Sequence, residues 1–291
     1  MKQKVKLIVV IPVGPLGSSY RLDHLYDTVE SVLHYTTTDR RIILQDSSLP
    51  LRIGTKVQQR FPEVLLSPTP EHYGSFGGAY KAESLALLGA VTHFDFQVLV
   101  HLDIDSLWTG YGFEDDAIEY FSANPQVGML GGFPRSPEGY QWPRRMVQLQ
   151  GDSIIGMLRD PGRYGFIHPL VMNAKKNKWQ VGDHVLGGAA AFSPMLLRKL
   201  AEQGLLLREE ARRLHLREYH IFSLLCRAVG MEIADFAQES QPMAVAWDKL
   251  PAAPETLVKL NKKIVHAVRD YQGMTADEVR AFFRAHRTST A

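Results

Sequence analysis

The stretch VLVHLDIDSLWTG, residues 98–110, decides how the rest of the chain is read. An apolar run leads into two aspartates one residue apart, Asp103 and Asp105. Such a run is expected of a strand buried on both faces. Two carboxylates at its end repel each other, and each is costly to desolvate. In open α/β sheets ligands bind at the carboxyl ends of the strands. A divalent cation there would reconcile the pair, because hard cations take oxygen ligands, commonly one or two carboxylates plus substrate phosphates. The plain alternative is a turn in which aspartate bonds the following backbone. Asp-x-Asp by itself does not separate the two.

Upstream, VKLIVVIPV (5–13) is a continuous β-branched run, followed by the turn GPLGSS (14–19). In RLDHLYDTVESVLHY (21–35), Leu22, Leu25, Tyr26, Val29, Val32 and Leu33 share one helical stripe. RRIILQDSS (40–48) is a second short strand ending in polar residues. Strand, helix, strand is the signature of a parallel unit with a right-handed crossover. GSFGGAYKAESLALLGAV (74–91) starts with glycines and turns helical, and FQVLVHLDID (96–105) is the next strand. EDDAIEYFSANP (114–125) is a helix stopped by Asn124 and Pro125. Residues 1–130 therefore read as one nucleotide-binding half of an open α/β sheet.

Downstream, residues 131–183 are rich in Gly, Pro, Arg, Trp and Tyr, as in GGFPRSPEGYQWPRR and DPGRYGFIHP. Long irregular functional loops are expected there. In VLGGAAAFSPMLLRKLAEQG (185–204), Ser193 suits a helix cap, Pro194 its first turn and Gly204 its end. LREYHIFSLLCRAVG (216–230) is a second helix ending in Gly230, MEIADF (231–236) a short strand and KKIVHAVRDY (262–271) a further candidate strand. In TADEVRAFFRAH (275–286), Thr275 and Glu278 form a capping box on an amphipathic helix. Residues 131–291 would complete one continuous domain.

Composition narrows the function classes. The chain has 291 residues, 45% of them hydrophobic and 22% charged, enough for a sizeable core. A net charge of +2 argues for no nucleic-acid partner. The single cysteine, Cys226, excludes a disulfide framework and reads as a buried helix thiol. No apolar run reaches the length of a membrane span, and MKQKVKLIVVIPVG is too short in its apolar part and too soon closed by Pro12 for a secretory signal. A cytoplasmic protein is expected, with peripheral membrane contact left open. The Gly-x-Gly-x-x-Gly of a dinucleotide enzyme and the Gly-x-x-x-x-Gly-Lys of a P-loop are both absent after the first strand.

Four segments in order, VVIPVGP, ILQDSS, GSFGGAYKAESLAL and LVHLDIDSLW, resemble the nucleotide-sugar-binding half of a GT-A glycosyltransferase, most similar to family 2. VLGGAAAFSPMLLRKL resembles the stretch that follows that half, and REYHIFSLLCRAVG the helix with the family's Glu-Asp pair. The resemblance spans roughly residues 5–270. It implies an α/β fold, a GT-A-like, Rossmann-type open mixed sheet flanked by helices. It also implies roles. Pro12, Val13 and Gly14 would wall the nucleotide pocket, and Asp46 would meet the base. Gly77 and Gly78 would let the backbone approach the nucleotide, with Lys81 near the diphosphate or base. Asp103 would face the ribose, Asp105 would hold Mn²⁺ or Mg²⁺, and His266 would complete the metal site. Registered on Gly230, Glu218 falls on the family's Glu and Tyr219 on its catalytic Asp, which is therefore missing. Glu218 is the nearest carboxylate and His220 the nearest other base.

The implied reaction transfers a sugar from a nucleotide-diphosphate donor, UDP-sugars favoured, to the hydroxyl of a carbohydrate or lipid-linked acceptor, in surface polysaccharide or glycolipid synthesis. An inverting enzyme needs a general base for that hydroxyl. Trp142, Tyr164 and Trp179 are candidates for packing on sugar rings, and Arg144 and Arg145 for a charged acceptor. His184 sits close to Gly187 and reads as a loop histidine, while His101 alternates with buried strand residues and reads as structural. A sugar-phosphate nucleotidylyltransferase and a non-catalytic nucleotide-sugar binder are the alternatives.

Overall fold

A computed structural model of the chain describes residues 2–14, 22–151 and 153–289; the turn expected at 14–19 lies, apart from Gly14, outside the described residues. The first half runs β1 (Gln3–Val13), α1 (Leu22–Tyr35), β2 (Arg40–Asp46), α2 (Ile53–Arg60), β3 (Leu65–Pro68), α3 (Gly77–His93) and β4 (Phe94–Leu102). Then come β5 (Ser106–Trp108), α4 (Phe113–Ala123), β6 (Val127–Gly131), α5 (Pro137–Gly151), α6 (Ile154–Arg159) and α7 (Pro161–Lys176). The chain continues with β7 (Ala189–Phe192), α8 (Pro194–Glu202), a 3₁₀ turn (Glu209–Arg213), α9 (Glu218–Ala228) and β8 (Glu232–Asp235). It closes with β9 (Met243–Val245), α10 (Pro254–Lys259), β10 (Ile264–His266) and α11 (Ala276–Ser289).

Seven strands form one mixed sheet in the order β3-β2-β1-β4-β7-β6-β8. β3, β2, β1 and β4 are mutually parallel, whereas β7 is antiparallel to both β4 and β6. Strands from beyond residue 130, β7 and β8, complete the sheet begun by the first half. This is the open mixed sheet flanked by helices that the sequence resemblance implies. The chain leaves β1 toward β2 on one side, and β4 returns on the other. The crevice where ligands bind such sheets therefore lies at the carboxyl ends of β1 and β4.

Alternation of side chains decides what each face buries. Leu7, Val9, Ile11 and Val13 of β1, with Val98, Val100 and Leu102 of β4, pack under α1 and α4. Ile8 and Val10 of β1, with Leu99 of β4, pack on the opposite face with Tyr80, Leu87 and Ala90 of α3. His101 falls on this second face, toward α3, and that register brings it to Glu83. A second, three-stranded sheet, β5-β10-β9, stands beside the main one and is covered by α10 and α11.

Residues 131–183 depart from expectation: most of them form α5, α6 and α7 rather than irregular loops. Their ends carry the reason. Ser153 accepts a hydrogen bond from the Gly156 amide and starts α6; Asp160 accepts one from the Arg163 amide, and Pro161 opens α7. Apolar Phe166, Ile167, Leu170 and Val171 of α7 are buried, so tertiary packing outweighs the interruption by Pro169. The other local expectations hold. Ser193 caps α8 through the Leu196 amide, Gly230 ends α9 at φ +78°, and Thr275 and Glu278 exchange the capping-box hydrogen bonds.

Candidate functional site

β4 ends at Leu102, and the chain turns through Asp103, Ile104 and Asp105 into β5. Antiparallel pairing of β5 with β10 sets Ser106 opposite His266, which delivers a histidine from late in the chain to the aspartate loop. Ligand atoms of Asp103, Asp105 and His266 all lie within 4.8 Å of one another. Asp105 and His266 are buried and Asp103 half-buried. His266 Nε2 is 3.4 Å from Asp105 Oδ1, and Arg269 Nε donates to Asp105 Oδ2 at 2.9 Å. Burial alone would raise the Asp105 pKa. The hydrogen bond and charge of His266, and then Arg269, outweigh it and hold the carboxyl well below the usual range. Asp105 is therefore ionised at neutral pH.

Two adjacent glycines make room for this. Gly188, at φ +96°, accepts from the Asp103 amide at 2.8 Å and from Ser106 Oγ at 2.7 Å. A Cβ on Gly188 would stand 2.2 Å from the His266 ring, and one on Gly187 would stand 2.5 Å from the Tyr219 ring. Both steric demands are met only by glycine.

A buried chain of charge supports the loop from the sheet side. His101 Nδ1 meets Glu83 Oε1 at 2.7 Å, and its Nε2 meets Asp103 Oδ1 at 3.1 Å. Burial disfavours the imidazolium, but the two carboxylates prevail and push its pKa well above the ordinary value. As an imidazolium, His101 donates to both and fixes Asp103. Glu218, half-buried at the start of α9, shares a small pocket with Glu83, His101 and Gly187. Burial first, then the charges of Asp103 and Glu83, push its pKa up to about 7. From the other side, Thr28 Oγ1 donates to the carbonyls of Ile104 and Ser106, both at 3.0 Å. Arg280, fully buried, donates to Ile104 O at 2.8 Å and to Asp27 Oδ2 at 2.9 Å, while Arg287 takes the other oxygen of Asp27.

Next to this charged cluster lies a cavity of about 700 Å³ with aromatic walls: Phe76, Trp142, His184, Tyr219, His220 and Trp247. Val245, the strand partner of His266, also lines it, so the two compartments share a wall. The His184 and His220 rings are 4.3 Å apart, and Trp142 packs on His220 at 5.5 Å. The Arg217 guanidinium lies over the Trp247 ring at 4.6 Å. His184 Nδ1 donates to Gly182 O, and burial pulls its pKa down to about 4. Burial, and then the neighbouring His184 and Arg217, drive His220 well below its ordinary value. Both imidazoles are neutral.

The structure brings Asp103, Asp105 and His266 together and sets Glu218 beside them. His220 turns away from that group into the aromatic cavity with His184 and Trp142. Asp46 has both carboxyl oxygens engaged by its own chain: Oδ1 by Ser48 and Oδ2 by the Gly54 amide. Gly77 and Gly78 are packing glycines, since a Cβ would strike Ala211 O at 1.9 Å and Tyr73 O at 2.0 Å, respectively. Lys81 pairs with Glu209 of the 3₁₀ turn. Pro12 and Val13 lie at the carboxyl end of β1 opposite Gln45 and Asp46, and Gly14 follows them, exposed. Trp179 is buried and donates to Asp183 O, Tyr164 stacks on His168, and Arg144 donates to Val181 O. Arg145 is exposed. Four residues escaped the reading of the sequence: Arg269, Glu83, Arg280 and Thr28. Glu83 lies inside the quoted GSFGGAYKAESLAL stretch and Arg269 three residues after His266, but nothing in either spacing singled them out.

No protein-family model and no curated protein matches the chain. Among solved structures, it is similar to the mannosyltransferase PcManGT from Pyrobaculum calidifontis, determined with GDP-Man and Mn²⁺. That likeness has 15% identity and a TM-score of 0.43, over 79% of this chain and 54% of that one. It is also similar to the bifunctional glycosyltransferase WbbM, at 10% identity and a TM-score of 0.48, over 99% of this chain and 50% of that one. Residues 1–349 of S. aureus TarS are similar at 13% identity and a TM-score of 0.43, over 99% of this chain and 73% of that one. The chain thus spans about half the length of the first two. These are distant likenesses of fold.

Proposed function

We propose that the chain is a glycosyltransferase that moves a sugar from a nucleotide-diphosphate donor, UDP-sugars foremost, to an acceptor hydroxyl. The observation that carries this reading is the convergence of Asp103, Asp105 and His266 at the carboxyl end of β4, beside the crevice between β1 and β4. Two carboxylates and an imidazole fit Mn²⁺ or Mg²⁺, and the imidazole favours Mn²⁺. Asp105 and His266 would hold the ion, which when bound supplies Lewis-acid stabilisation of the departing diphosphate. Arg269, on the same carboxylate, adds a second positive charge there.

Glu218 is the general base of this scheme. It takes the proton from the acceptor hydroxyl as the new glycosidic bond forms and the bond to the diphosphate breaks, which inverts the anomeric centre. A pKa of about 7 makes it basic enough to do so and still ionised in a useful fraction at neutral pH. His101 holds Asp103 in place for the donor's ribose. Tyr219 is no substitute for the missing aspartate, because burial raises its phenol pKa further and keeps it neutral. Its ring instead walls the aromatic cavity, whose apolar faces suit the rings of a carbohydrate or lipid-linked acceptor. Surface polysaccharide or glycolipid synthesis in the cytoplasm is the setting this reading favours.

A second reading rests on Arg269. Its bond to Asp105 already offsets the carboxylate, as a donor site without metal would require. One experiment separates these: a thermal-shift screen of nucleotide sugars with and without Mn²⁺, on the native protein and Asp105→Ala. Stabilisation by a UDP-sugar that needs metal and vanishes in the variant is expected. Undiminished binding of donor and metal by Asp105→Ala would overturn the proposed role. Donor binding without any turnover would favour a binder, and pyrophosphate-dependent exchange a nucleotidylyltransferase.

A further inference from the structure

α5, α6 and α7 pack on one another at the surface and leave an apolar face uncovered. Leu149, Ile154, Ile155, Met157, Leu158 and Met172 are all exposed, Ile154 at 71% and Leu158 at 73%. Single exposed apolar side chains are ordinary, but a cluster of large ones marks a docking surface. Among the described residues no helix is long and apolar enough to cross a membrane, so the face is not part of a span.

The charges around it identify its occupant. Residues 137–176, which hold the three helices, carry six Lys and Arg against Glu138, Asp152 and Asp160. Asp152 lies outside the described residues, and Asp160 is engaged by the Arg163 amide and the Arg213 guanidinium. Side chains four apart on a helix share a face. Each of the three helices repeats one such pairing of exposed side chains: Arg145 with Leu149, Ile155 with Arg159, and Met172 with Lys176. Apolar side chains flanked by basic ones match the boundary between acyl chains and anionic headgroups.

We propose that the α5–α7 face docks on an anionic phospholipid bilayer, with the apolar side chains entering the headgroup boundary and the arginines and lysines meeting phosphate. α5 also contributes Trp142 to the aromatic cavity, two helical turns before Leu149. If the chain is the transferase proposed above, docking sets that cavity close to a lipid-linked acceptor.

The test is co-sedimentation of the full chain with vesicles of phosphatidylcholine plus phosphatidylglycerol, and with phosphatidylcholine alone, in the absence of donor and metal. The chain binds the mixed vesicles, and rising salt weakens the binding. Ile154→Ser with Leu158→Ser lowers affinity about tenfold or more, and Arg145→Glu with Arg159→Glu about fivefold per residue. Melting temperatures stay unchanged, since all four side chains are exposed. Failure of the native chain to bind anionic vesicles would overturn the proposal. So would a serine pair that binds vesicles normally, or one that instead dissociates a dimer, which would make the face a contact between copies. Vesicle binding needs neither donor nor cation, so its failure is distinguishable from a failure of the transfer chemistry.

Discussion

Gly187 and Gly188 are neighbours in the chain but look onto opposite chemistries. Past Gly188 lie Asp103, Asp105, His266 and Arg269, a compartment of charge. Past Gly187 lie Tyr219, His184 and His220, a compartment of neutral rings. Histidine measures the difference. His101, between two carboxylates, is pushed well above its ordinary pKa, whereas His184 and His220, buried among aromatics, are pushed below it. All three are buried. Burial alone therefore fixes nothing: the partner decides whether a buried imidazole is a cation or an apolar ring with a polar edge. Under the proposed sugar transfer, a donor that departs as an anion and an acceptor that must stay dry would call for these two environments side by side.

The largest expected effect comes from the carboxylate between them. Glu218→Gln lowers kcat by about 10²–10⁴-fold with little change in donor binding. In the native protein kcat/KM rises with pH through about 7 as Glu218 ionises, and the variant loses that limb. Stability moves the other way. The folded-state pKa lies above the ordinary 4.5, so this contribution is full below that value and is lost as pH rises toward 7. Melting curves across that window, native against Glu218→Gln, read it directly. A pH–rate profile shared by both proteins would remove Glu218 as the base.

The glycines break the comparison cleanly. Gly188→Ala forces a side chain into a φ of +96° and onto the His266 ring, with a backbone penalty of about 1–2 kcal/mol before any clash. Metal-dependent donor binding is expected to fall about tenfold or more, as fits a displaced ligand. Gly187→Ala displaces Tyr219 instead and is expected to raise acceptor KM while leaving Mn²⁺ binding near native. Identical phenotypes, measured by calorimetry and steady-state kinetics, would show that the two compartments are one.

Smaller effects sharpen the picture. His101→Gln keeps a hydrogen-bonding group but loses the charge between Glu83 and Asp103, with about 10–100-fold lost in donor affinity or turnover. Trp142→Ala, on the aromatic side, raises acceptor KM about 3–10-fold and leaves donor KM alone.

The parallel half and the acidic tip were legible because their signals are local. The β-branched runs of β1 and β4 need no partner to be recognised, and Asp103 and Asp105 follow the second run directly. His266 was reached through the family resemblance, and β10 then placed it. The contacts of Glu83 with His101, Gly188 with His266, and Arg280 with Ile104 join segments far apart in sequence, so no local pattern announces them. Residues 131–183 misled in the opposite way. Gly and Pro suggest loops, but Pro161 sits where a helix tolerates it, and Ser153 and Asp160 supply the starts. Asp46, Gly77, Gly78 and Lys81, placed by the resemblance, each meet their own chain in the structure.

The grip of Arg280 on the carbonyl of Ile104, shared with Asp27, reaches the aspartate turn from α11. Clipping the chain ahead of α11 would strip Asp27 of both its guanidinium partners and unfasten the turn they steady. α11 works as a keystone for the aspartate turn, and its removal is expected to loosen that turn before the sheet comes apart.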